Sequence, residues 1–559
     1  MLKGRRWFSA FALIGVALTL GVARSATPPP SFDTATSLGT GANPSWVAIR
    51  DLNGDGRPDL TVVNIGADSA SVLLRKADGT FRAKIDYPTG SAPPSGAMAD
   101  LNGDGSPDLV TANYAGGTAS SASVLKGKGD GTFEAKVDYP TGNGANAIAI
   151  GDLNGDGKPD LATANYDAST VSVLRGNGNG IFQDKVDYPT GGGPYAIAIG
   201  DLNGDGKPDV VTDSYGGSSL SVLLGKGDGS LETKVDYPTG AQPRFFAIGD
   251  VNGDGRLDLV TPNYVGSSVS VLLGKGDGNF QPKTDFPCGA GPYAVAIGDL
   301  NGDGKPDLAT ANASSFPYTL SVLAGKGDGS FEAKVDFPAG TSPRSVAIGD
   351  LNGDGRPDLA SGDGNGSAVS VLANTTAYLP PGAVTGPASG IGQNAATITG
   401  SVSPHGVPSS YYFDFGPTTA YGLRTATKSA GAGTAARAVA ETLTTLAPGT
   451  SFHYRLVATS GPGGAAFGAD KTFTTTAPPP PPPPPPPVVK CVVPKVLGKT
   501  LPKAKAAIKK NHCRTGKVTR AYSKRFKRGR VIVQKPKAGK RLPAGSKVRL
   551  VVSKGRRRH

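Results

Sequence analysis

Short runs of alternating apolar and polar residues follow one another along most of the chain. Between Tyr195 and Gly240 the runs are AIAIG, DVVTD, LSVLL and ETKVDY, and clusters of Gly, Asn, Asp and Ser separate them. Alternation over four to six residues, rich in β-branched side chains and bounded by turn formers, predicts half-buried β-strands. This stretch therefore predicts four strands joined by tight turns.

The four-strand pattern recurs about every 49 residues. The string DLNGDGKPDL, with small variations, begins at seven positions: Asp51, Asp100, Asp152, Asp201, Asp250, Asp299 and Asp350. Units of 40 to 50 residues with four strands are typical of β-propeller blades, so seven units predict a seven-bladed β-propeller over residues 27–376. The 81 Gly and 47 Pro among 559 residues also argue against an all-helical protein.

The ends of the repeat predict how the ring closes. The outer-strand segment FEAKVDYPTG follows six of the loops in variant forms but is missing after the seventh, where the chain continues SVLANTTAYLPPG. A similar piece, Phe32 to Thr36, stands before the first repeat. We therefore expect the N-terminal strand to complete the last blade, which removes the exposed sheet edges.

Each DLNGDGKPD loop carries oxygen-bearing side chains at positions 1, 3, 5 and 9, with Gly at positions 4 and 6. Three carboxylates in one tight turn repel each other unless a cation joins them, and Ca²⁺ takes six to eight oxygen ligands. An EF-hand is excluded because position 12 is Val62 in the first loop and Thr111 in the second, not Glu. A metal-free turn rich in Asn and Asp is the alternative. The predicted Ca²⁺ ligands, loop by loop, are Asp51, Asn53, Asp55, Asp59; Asp100, Asn102, Asp104, Asp108; Asp152, Asn154, Asp156, Asp160; Asp201, Asn203, Asp205, Asp209; Asp250, Asn252, Asp254, Asp258; Asp299, Asn301, Asp303, Asp307; and Asp350, Asn352, Asp354, Asp358.

These loops resemble FG-GAP repeats of the VCBS type, as in the integrin α-subunit propeller and some fungal lectins. The resemblance covers about residues 32–376. It implies structural Ca²⁺ in the hairpin between the first and second strands of each blade, about seven ions in all, on the face opposite the usual ligand-binding surface.

The position six residues before the first Asp of each loop varies between blades and is called the mouth position below. The seven mouth positions are Ser45, Pro94, Asn146, Tyr195, Arg244, Tyr293 and Arg344. Tyr and Arg are frequent anchors of binding surfaces. We predict a ligand face formed by Tyr195, Arg244, Phe245, Tyr293 and Arg344, with Arg244 and Arg344 exposed; packing between blades is the alternative. Tyr114, Tyr166, Tyr215 and Tyr264 should approach the same face.

Two further regions precede the tail. Residues 382–476 contain short β runs such as SSYYFDFG and SFHYRLVATS and resemble a fibronectin type III-like β-sandwich, predicted to act as a spacer. Residues 477–489 form a polyproline linker. At the other end, residues 1–26 have basic residues before an apolar stretch from Trp7 to Val22 and predict a signal peptide, with a membrane anchor as the alternative.

The charge is divided between the body and the tail. Residues 27–376 hold 24 basic and 41 acidic residues, whereas residues 488–559 hold 25 Lys and Arg and no acid. The segments VPKVLGKTLPKAKAAI and GRVIVQKPKAGKRLPAGSKV resemble a PASTA domain over residues 490–555, a small α+β domain. The resemblance implies contact with peptidoglycan, and the charge adds anionic wall polymer as an alternative. In such an exported domain a disulfide between Cys491 and Cys513 is expected.

Together these features predict a mainly β, secreted, cell-wall-associated bacterial protein. We expect a non-enzymatic, calcium-binding adhesion or recognition protein whose propeller binds a glycan or protein ligand, with no nucleic acid partner and no membrane span in the mature chain. All four His lie outside residues 27–376, so imidazole chemistry is excluded in the propeller. The alternatives are a carbohydrate-active enzyme, either a polysaccharide lyase or a glycosidase using paired acids, and a purely structural spacer.

Overall fold

A computed structural model describes residues 29–557 except 117–118, 462, 481 and 486. The signal peptide predicted at residues 1–26 lies outside the described residues. The chain divides into two compact units, with the boundary after Ala477. Among the described residues, no helix is long and apolar enough to cross a membrane.

The first unit contains seven four-stranded antiparallel sheets within the described part of residues 32–376, one for each repeat. These sheets are the blades of the predicted seven-bladed propeller. Their strands, in chain order, are β1 (Thr36–Gly39); β2 (Pro44–Arg50), β3 (Asp59–Asn64), β4 (Ser69–Leu73), β5 (Ile85–Pro88); β6 (Ser95–Ala99), β7 (Asp108–Asn113), β8 (Ser121–Leu125), β9 (Val137–Pro140); β10 (Ala145–Gly151), β11 (Asp160–Asn165), β12 (Thr170–Leu174), β13 (Val186–Pro189); β14 (Ile197–Gly200), β15 (Asp209–Ser214), β16 (Ser219–Leu223), β17 (Val235–Pro238); β18 (Ala247–Gly249), β19 (Asp258–Asn263), β20 (Ser268–Leu272), β21 (Thr284–Pro287); β22 (Pro292–Gly298), β23 (Asp307–Asn312), β24 (Thr319–Leu323), β25 (Val335–Pro338); and β26 (Ala347–Gly349), β27 (Asp358–Gly362), β28 (Ala368–Leu372).

The N-terminal strand closes the ring, as the sequence predicts. Strand β1 pairs antiparallel with β28, with Thr36 opposite Val371, and becomes the outermost strand of the seventh blade. Phe32 then packs edge-on against Phe337 of the sixth blade at 5.0 Å between ring centroids. The equivalent contact between Tyr139 and Phe182 joins the second and third blades at 5.4 Å. Phe32 therefore supplies the aromatic contact that the seventh repeat lacks.

The core of the propeller lies between neighbouring blades. The second strand of every blade is buried along its whole length, because sheets cover both of its faces. In six blades an Asp in the outer strand bonds to a Ser in the neighbouring strand. In the first blade Ser71 of β4 donates to Asp86 of β5 at 2.6 Å, and Lys84 pairs with the same carboxylate. The equivalent acids Asp138, Asp187, Asp236, Asp285 and Asp336 accept from Ser side chains in the same way. These six acids are architectural.

Residues 382–474 form two antiparallel sheets around one apolar core. The first sheet contains β29 (Gly382–Ser389), β30 (Ala396–Ser403) and β34 (Arg437–Leu443); the second contains β31 (Ser409–Gly416), β32 (Leu423–Arg424), β33 (Lys428–Gly431), β35 (Ser451–Ser460), β36 (Gly464–Phe467) and β37 (Lys471–Thr474). Phe413, Tyr454 and Leu456 are fully buried between them. A two-sheet sandwich agrees with the β pattern of the sequence, and its resemblance to fibronectin type III remains a prediction.

The second unit is a small α+β domain. Its elements are β38 (Lys490–Val492), α1 (Leu501–Lys510), β39 (Arg514–Ala521), β40 (Val531–Lys535), β41 (Arg541–Pro543) and β42 (Lys547–Ser553). The three-stranded sheet has the order β39-β42-β40, and Ala504 and Ile508 bury one face of the helix. Cys491 and Cys513 form a disulfide bond with an S–S length of 2.03 Å. Thr500 occupies the N-cap position, although its side chain makes no capping hydrogen bond.

Candidate functional site

The seven predicted metal loops lie at equivalent places, between the first and second strands of each blade. In the first loop Asp51 accepts backbone N–H groups from Asn53, Gly54 and Gly56 at 2.8 to 3.2 Å. Gly54 and Gly56 have φ values of 71° and 78°, a conformation that other residues adopt at a cost. The Gly at positions 4 and 6 thus allow the turn to fold its amides onto the first carboxylate.

The Asp at position 9 of each loop is a buried side chain that binds backbone N–H groups on both sides of the loop. Asp59 is fully buried and accepts N–H groups from Leu52 at 3.0 Å and from Arg75 at 2.7 Å. Burial raises the pKa of Asp59, and the nearby carboxylates Asp55 and Asp51 raise it further. The pKa of the same Asp in the sixth loop, Asp307, is raised to about 7 by the same causes. A negative charge at this position is therefore unfavourable unless positive charge lies close by.

The donor chemistry of the loops fits a hard cation, although their carboxylates already accept hydrogen bonds from backbone amides. Positions 1, 3, 5 and 9 together hold three carboxylates and one amide oxygen, the ligand types that Ca²⁺ prefers. The carboxylate oxygens are turned toward backbone amides, and no group of three His, Cys, Asp or Glu side chains within the described residues is arranged to hold a metal ion. Calcium binding thus remains a prediction.

The sixth loop differs from the other six because the sandwich covers it. Asn301 and Asp303 are only 3% and 8% exposed, whereas Asp205 at the matching place in the fourth loop is exposed. The ring of Tyr378 lies against Gly302, and its hydroxyl donates to the carbonyl of Leu300 at 3.4 Å. The sequence shows no sign of this cover, since the sixth loop has the same nine residues as the third and fourth loops.

The sandwich reaches this loop through a turn that contains Gly406. A methyl group placed on Gly406 would lie only 2.2 Å from the backbone nitrogen of Gly304. Thr434, in a second turn of the sandwich, also approaches Gly304. Backbone therefore packs directly on backbone at this contact, which tolerates no side chain at residue 406.

The predicted ligand-face residues come together at the end of the propeller opposite the metal loops. The rings of Tyr195, Phe245 and Tyr293 lie 5.7 to 6.1 Å apart, and the hydroxyls of Tyr195 and Tyr293 are hydrogen-bonded at 2.8 Å. The guanidinium of Arg344 lies 5.9 Å from the Tyr293 ring. The three rings come from the fourth, fifth and sixth blades, and Arg344 extends this aromatic cluster to the seventh.

Arg244 is buried, which contradicts the expectation that it is exposed. Its side chain is among the rings of Tyr195, Tyr215, Tyr264 and Tyr293, with 4.3 to 5.1 Å from the guanidinium carbon to each ring centroid. The residue is only 9% exposed. A cation enclosed by four rings holds blades together and is not free to meet a ligand, so the packing alternative applies to Arg244.

A cavity of about 260 Å³ opens beside this cluster. Six of the seven mouth positions line it, and the seventh, Arg244, does not. Tyr114 and Tyr166, from the turns after the second strands, complete its wall. Ser45 and Arg344 also line the central channel, a space of about 210 Å³.

Asp213 is a buried acid in this region that the sequence reasoning missed. It occupies a position in β15 where the neighbouring blades have Ala164 and Pro262, and that difference is the signal that could have found it. Its Oδ1 accepts the N–H groups of Tyr195 and Ala196, both at 2.6 Å, and its Oδ2 has no hydrogen-bond partner among the described residues. Burial raises the pKa of Asp213 to about 8.

The second unit presents a basic groove of about 640 Å³ beside the helix. Lys505, Lys509, His512 and Arg514 line it, together with Cys513 of the disulfide. The three cationic side chains among them are exposed. The disulfide thus fixes the end of the helix at a positively charged surface.

These features define a class of protein: a propeller built from Asp- and Gly-rich repeats, followed by a small basic domain. The model described as an FG-GAP-like repeat matches residues 51–111, 100–163, 152–212, 210–261, 263–310 and 311–361, which is more than half of the chain. The chain therefore belongs to the FG-GAP-like repeat family. An FG-GAP repeat model also matches residues 291–330, and a PASTA domain model matches residues 492–554.

Solved structures with partial similarity include a periplasmic gluconolactonase from Pseudomonas aeruginosa, at 19% identity over 53% of this chain and 85% of that one, with a TM-score of 0.41. Another is a putative 6-phosphogluconolactonase from Bacteroides uniformis, at 13% identity over 73% and 100%, with a TM-score of 0.39. A protein of unknown function from Desulfotomaculum acetoxidans has 14% identity over 53% and 90%, with a TM-score of 0.39.

Proposed function

We propose that this is a non-enzymatic recognition protein of the bacterial cell surface. An FG-GAP propeller joined to a PASTA domain indicates an extracellular protein related to the cell wall. In the proposal the PASTA domain holds peptidoglycan or anionic wall polymer, and the propeller presents its aromatic face to a glycan or protein ligand. The observation that carries the proposal is the pairing of a basic PASTA domain with an acidic propeller whose mouth positions form a cavity.

Charge supports wall contact through the tail. The last 72 residues contain 25 cations and no acid, and the groove beside the helix gathers Lys505, Lys509 and Arg514. Anionic polymers are attracted to such a surface over roughly one Debye length, about 8 Å at physiological salt and about 3 Å at 1 M salt. Attachment that depends on charge should therefore weaken steeply as salt rises.

The test measures retention of the full chain on purified cell walls across a salt series. Replacing Lys505, Lys509 and Arg514 by Gln should lower retention several-fold. Gln at three exposed lysines of the propeller, Lys76, Lys128 and Lys226, is the matched control and should leave retention unchanged. Equal retention of both triple variants at every salt concentration would refute the assignment of wall contact to this groove.

Calcium in the loops would stabilise the propeller. Positions 1, 3, 5 and 9 of each loop would hold the ion, which supplies positive charge beside a buried carboxylate whose pKa burial raises. An ion that binds only the folded state at 100 times its dissociation constant adds about 2.7 kcal/mol per site. Chelation should therefore lower the melting temperature of the propeller.

Metal content by elemental analysis tests this part directly. Replacing Asp205 in the fourth loop by Ala should reduce the bound calcium by one ion per chain. Replacing Asp228 by Ala is the control, because this exposed acid of the same blade binds Ser230 outside the loop. A wild-type protein without calcium, whose melting temperature ignores chelators, would contradict the proposal.

Binding is proposed in place of catalysis because the acids that recur from repeat to repeat are held by groups within the propeller. The six recurring outer-strand acids bond to Ser side chains within their own blades. The loop acids contact backbone amides. Release of new reducing ends from a panel of polysaccharides would show that the protein is an enzyme and would overturn this view.

A further inference from the structure

The cavity at the mouth positions has the size and shape of a small binding site. Its volume of about 260 Å³ is below the roughly 300–1,000 Å³ of sites for drug-sized ligands, so it suits a single ring or the end of a chain. Side chains from six blades converge on it, which gives it walls on several sides. A ligand end could therefore enter from the face opposite the metal loops.

The walls combine ring faces with hydrogen-bonding groups. Tyr114, Tyr166, Tyr195 and Tyr293 supply amphipathic rings, with an apolar body and a polar hydroxyl. The side chain of Asn146 is held by its hydrogen bond to the carbonyl of Tyr195 at 2.6 Å, which leaves its own carbonyl oxygen as an acceptor. Apolar faces beside hydroxyl and amide groups match a sugar ring, which has C–H faces and hydroxyl edges.

Arg344 adds a positive charge to this wall. Its Nη2 donates to Asn365 over a long 3.4 Å, and no ion pair joins it to an acid within the described part of the chain. The other nearby charges point elsewhere: Arg244 is enclosed by tyrosines, Asp213 is buried under Tyr195, and Asp167 at the rim accepts the Tyr114 hydroxyl at 3.1 Å. A guanidinium without an acidic partner is suited to a carboxylate, which it can bind through two N–H groups.

We propose that the mouth cavity binds an acidic sugar, a saccharide residue that carries a carboxylate, at the end of a glycan chain. The sugar ring lies against the tyrosine rings, its carboxylate meets Arg344, and its hydroxyls bond to Asn146 and the tyrosine hydroxyls. This inference rests on the proposed recognition function and names its ligand class. A peptide ending in a carboxylate is the competing occupant, and the test below distinguishes it from the sugar.

The test titrates the full chain with digalacturonic acid, with the neutral dimer of galactose and with a short peptide that has a free C-terminal carboxylate. Calorimetry should detect the uronic acid at least tenfold tighter than either other probe. Arg344→Gln should weaken this binding at least tenfold, and Arg344→Lys should restore part of it. Tyr166→Phe should weaken binding less than Tyr166→Ala, because only the alanine variant removes the ring as well as the hydroxyl.

Arg50→Gln is the matched control, because Arg50 ends the first strand at the opposite end of the channel and donates to the carbonyl of Met98. It should leave the uronic acid titration unchanged. Equal affinity for the neutral dimer, tighter binding of the peptide, or a normal titration with Arg344→Gln would each overturn the inference. Wall retention of the wild-type chain separates the two levels: a wild type that is retained on walls but does not bind the uronic acid refutes only this inference, and a wild type that is not retained refutes the proposed function.

Discussion

Replacing Gly406 by Ala should separate the sandwich from the sixth metal loop. The new methyl group would lie 2.2 Å from the backbone nitrogen of Gly304 and 2.5 Å from the carbonyl carbon of Asp303, where ordinary contact begins at 3.4 Å. Neither neighbour is a flexible side chain that can move aside. The two surfaces must therefore part by roughly 1.2 Å or the backbone must distort, and forced overpacking of this kind costs about 1–3 kcal/mol.

The sandwich itself provides the control. Gly406 and Gly422 have nearly the same φ, 87° and 86°, but a methyl group on Gly422 meets nothing within 4 Å. Both alanines pay about 1–2 kcal/mol for the left-handed conformation. Only Gly406→Ala also collides with the propeller, so the difference between the two variants reports the contact.

Hydrogen exchange measured by mass spectrometry is the assay, with the fourth loop as an internal standard. In the wild type the amides of residues 299–307 should exchange more slowly than those of residues 201–209, because only the sixth loop is covered. Gly406→Ala should raise exchange in the sixth loop toward that of the fourth, and Gly422→Ala should not. Equal exchange of the two loops in the wild type, or equal effects of the two variants, would refute the reasoning.

Three further outcomes are expected. Arg244→Ala should lower the free energy of unfolding of the propeller by about 2–4 kcal/mol, because it empties a site among four rings. Arg344→Ala should lower it by less than about 1 kcal/mol. Equal losses of unfolding free energy in a denaturant titration would contradict the packing of Arg244. The pKa of Asp213 is raised to about 8 in the folded state, so the contribution of its protonated form to stability is full below about pH 4 and is lost as the pH rises to about 8. Over that range the melting temperature of the wild type should fall relative to that of Asp213→Asn. Parallel curves of melting temperature against pH would contradict the raised pKa. Reducing the bond between Cys491 and Cys513 should destabilise the second unit by about 3 kcal/mol, and an unchanged melting transition would show that the bond adds nothing.

The sequence alone determined the blades, because their information is local and repeated. Alternation of apolar residues sets each strand, Gly at two loop positions sets each turn, and the missing outer strand after the seventh loop points to Phe32. The helix face around Ala504 and Ile508 was predictable for the same reason, since 3.6-residue periodicity is read along one segment.

Only the tertiary structure decided which of the predicted positions can meet a ligand. Arg244 and Arg344 occupy equivalent places in their repeats, yet the four tyrosines around Arg244 come from the fourth, fifth and sixth blades and bury it, while Arg344 lines a cavity. Likewise Asp205 and Asp303 stand in loops with the same residues, and only Asp303 is covered, by a turn about 100 residues further along the chain. Exposure depends on residues distant in sequence, and a repeat whose units are alike in sequence contains no record of which unit a later domain will cover.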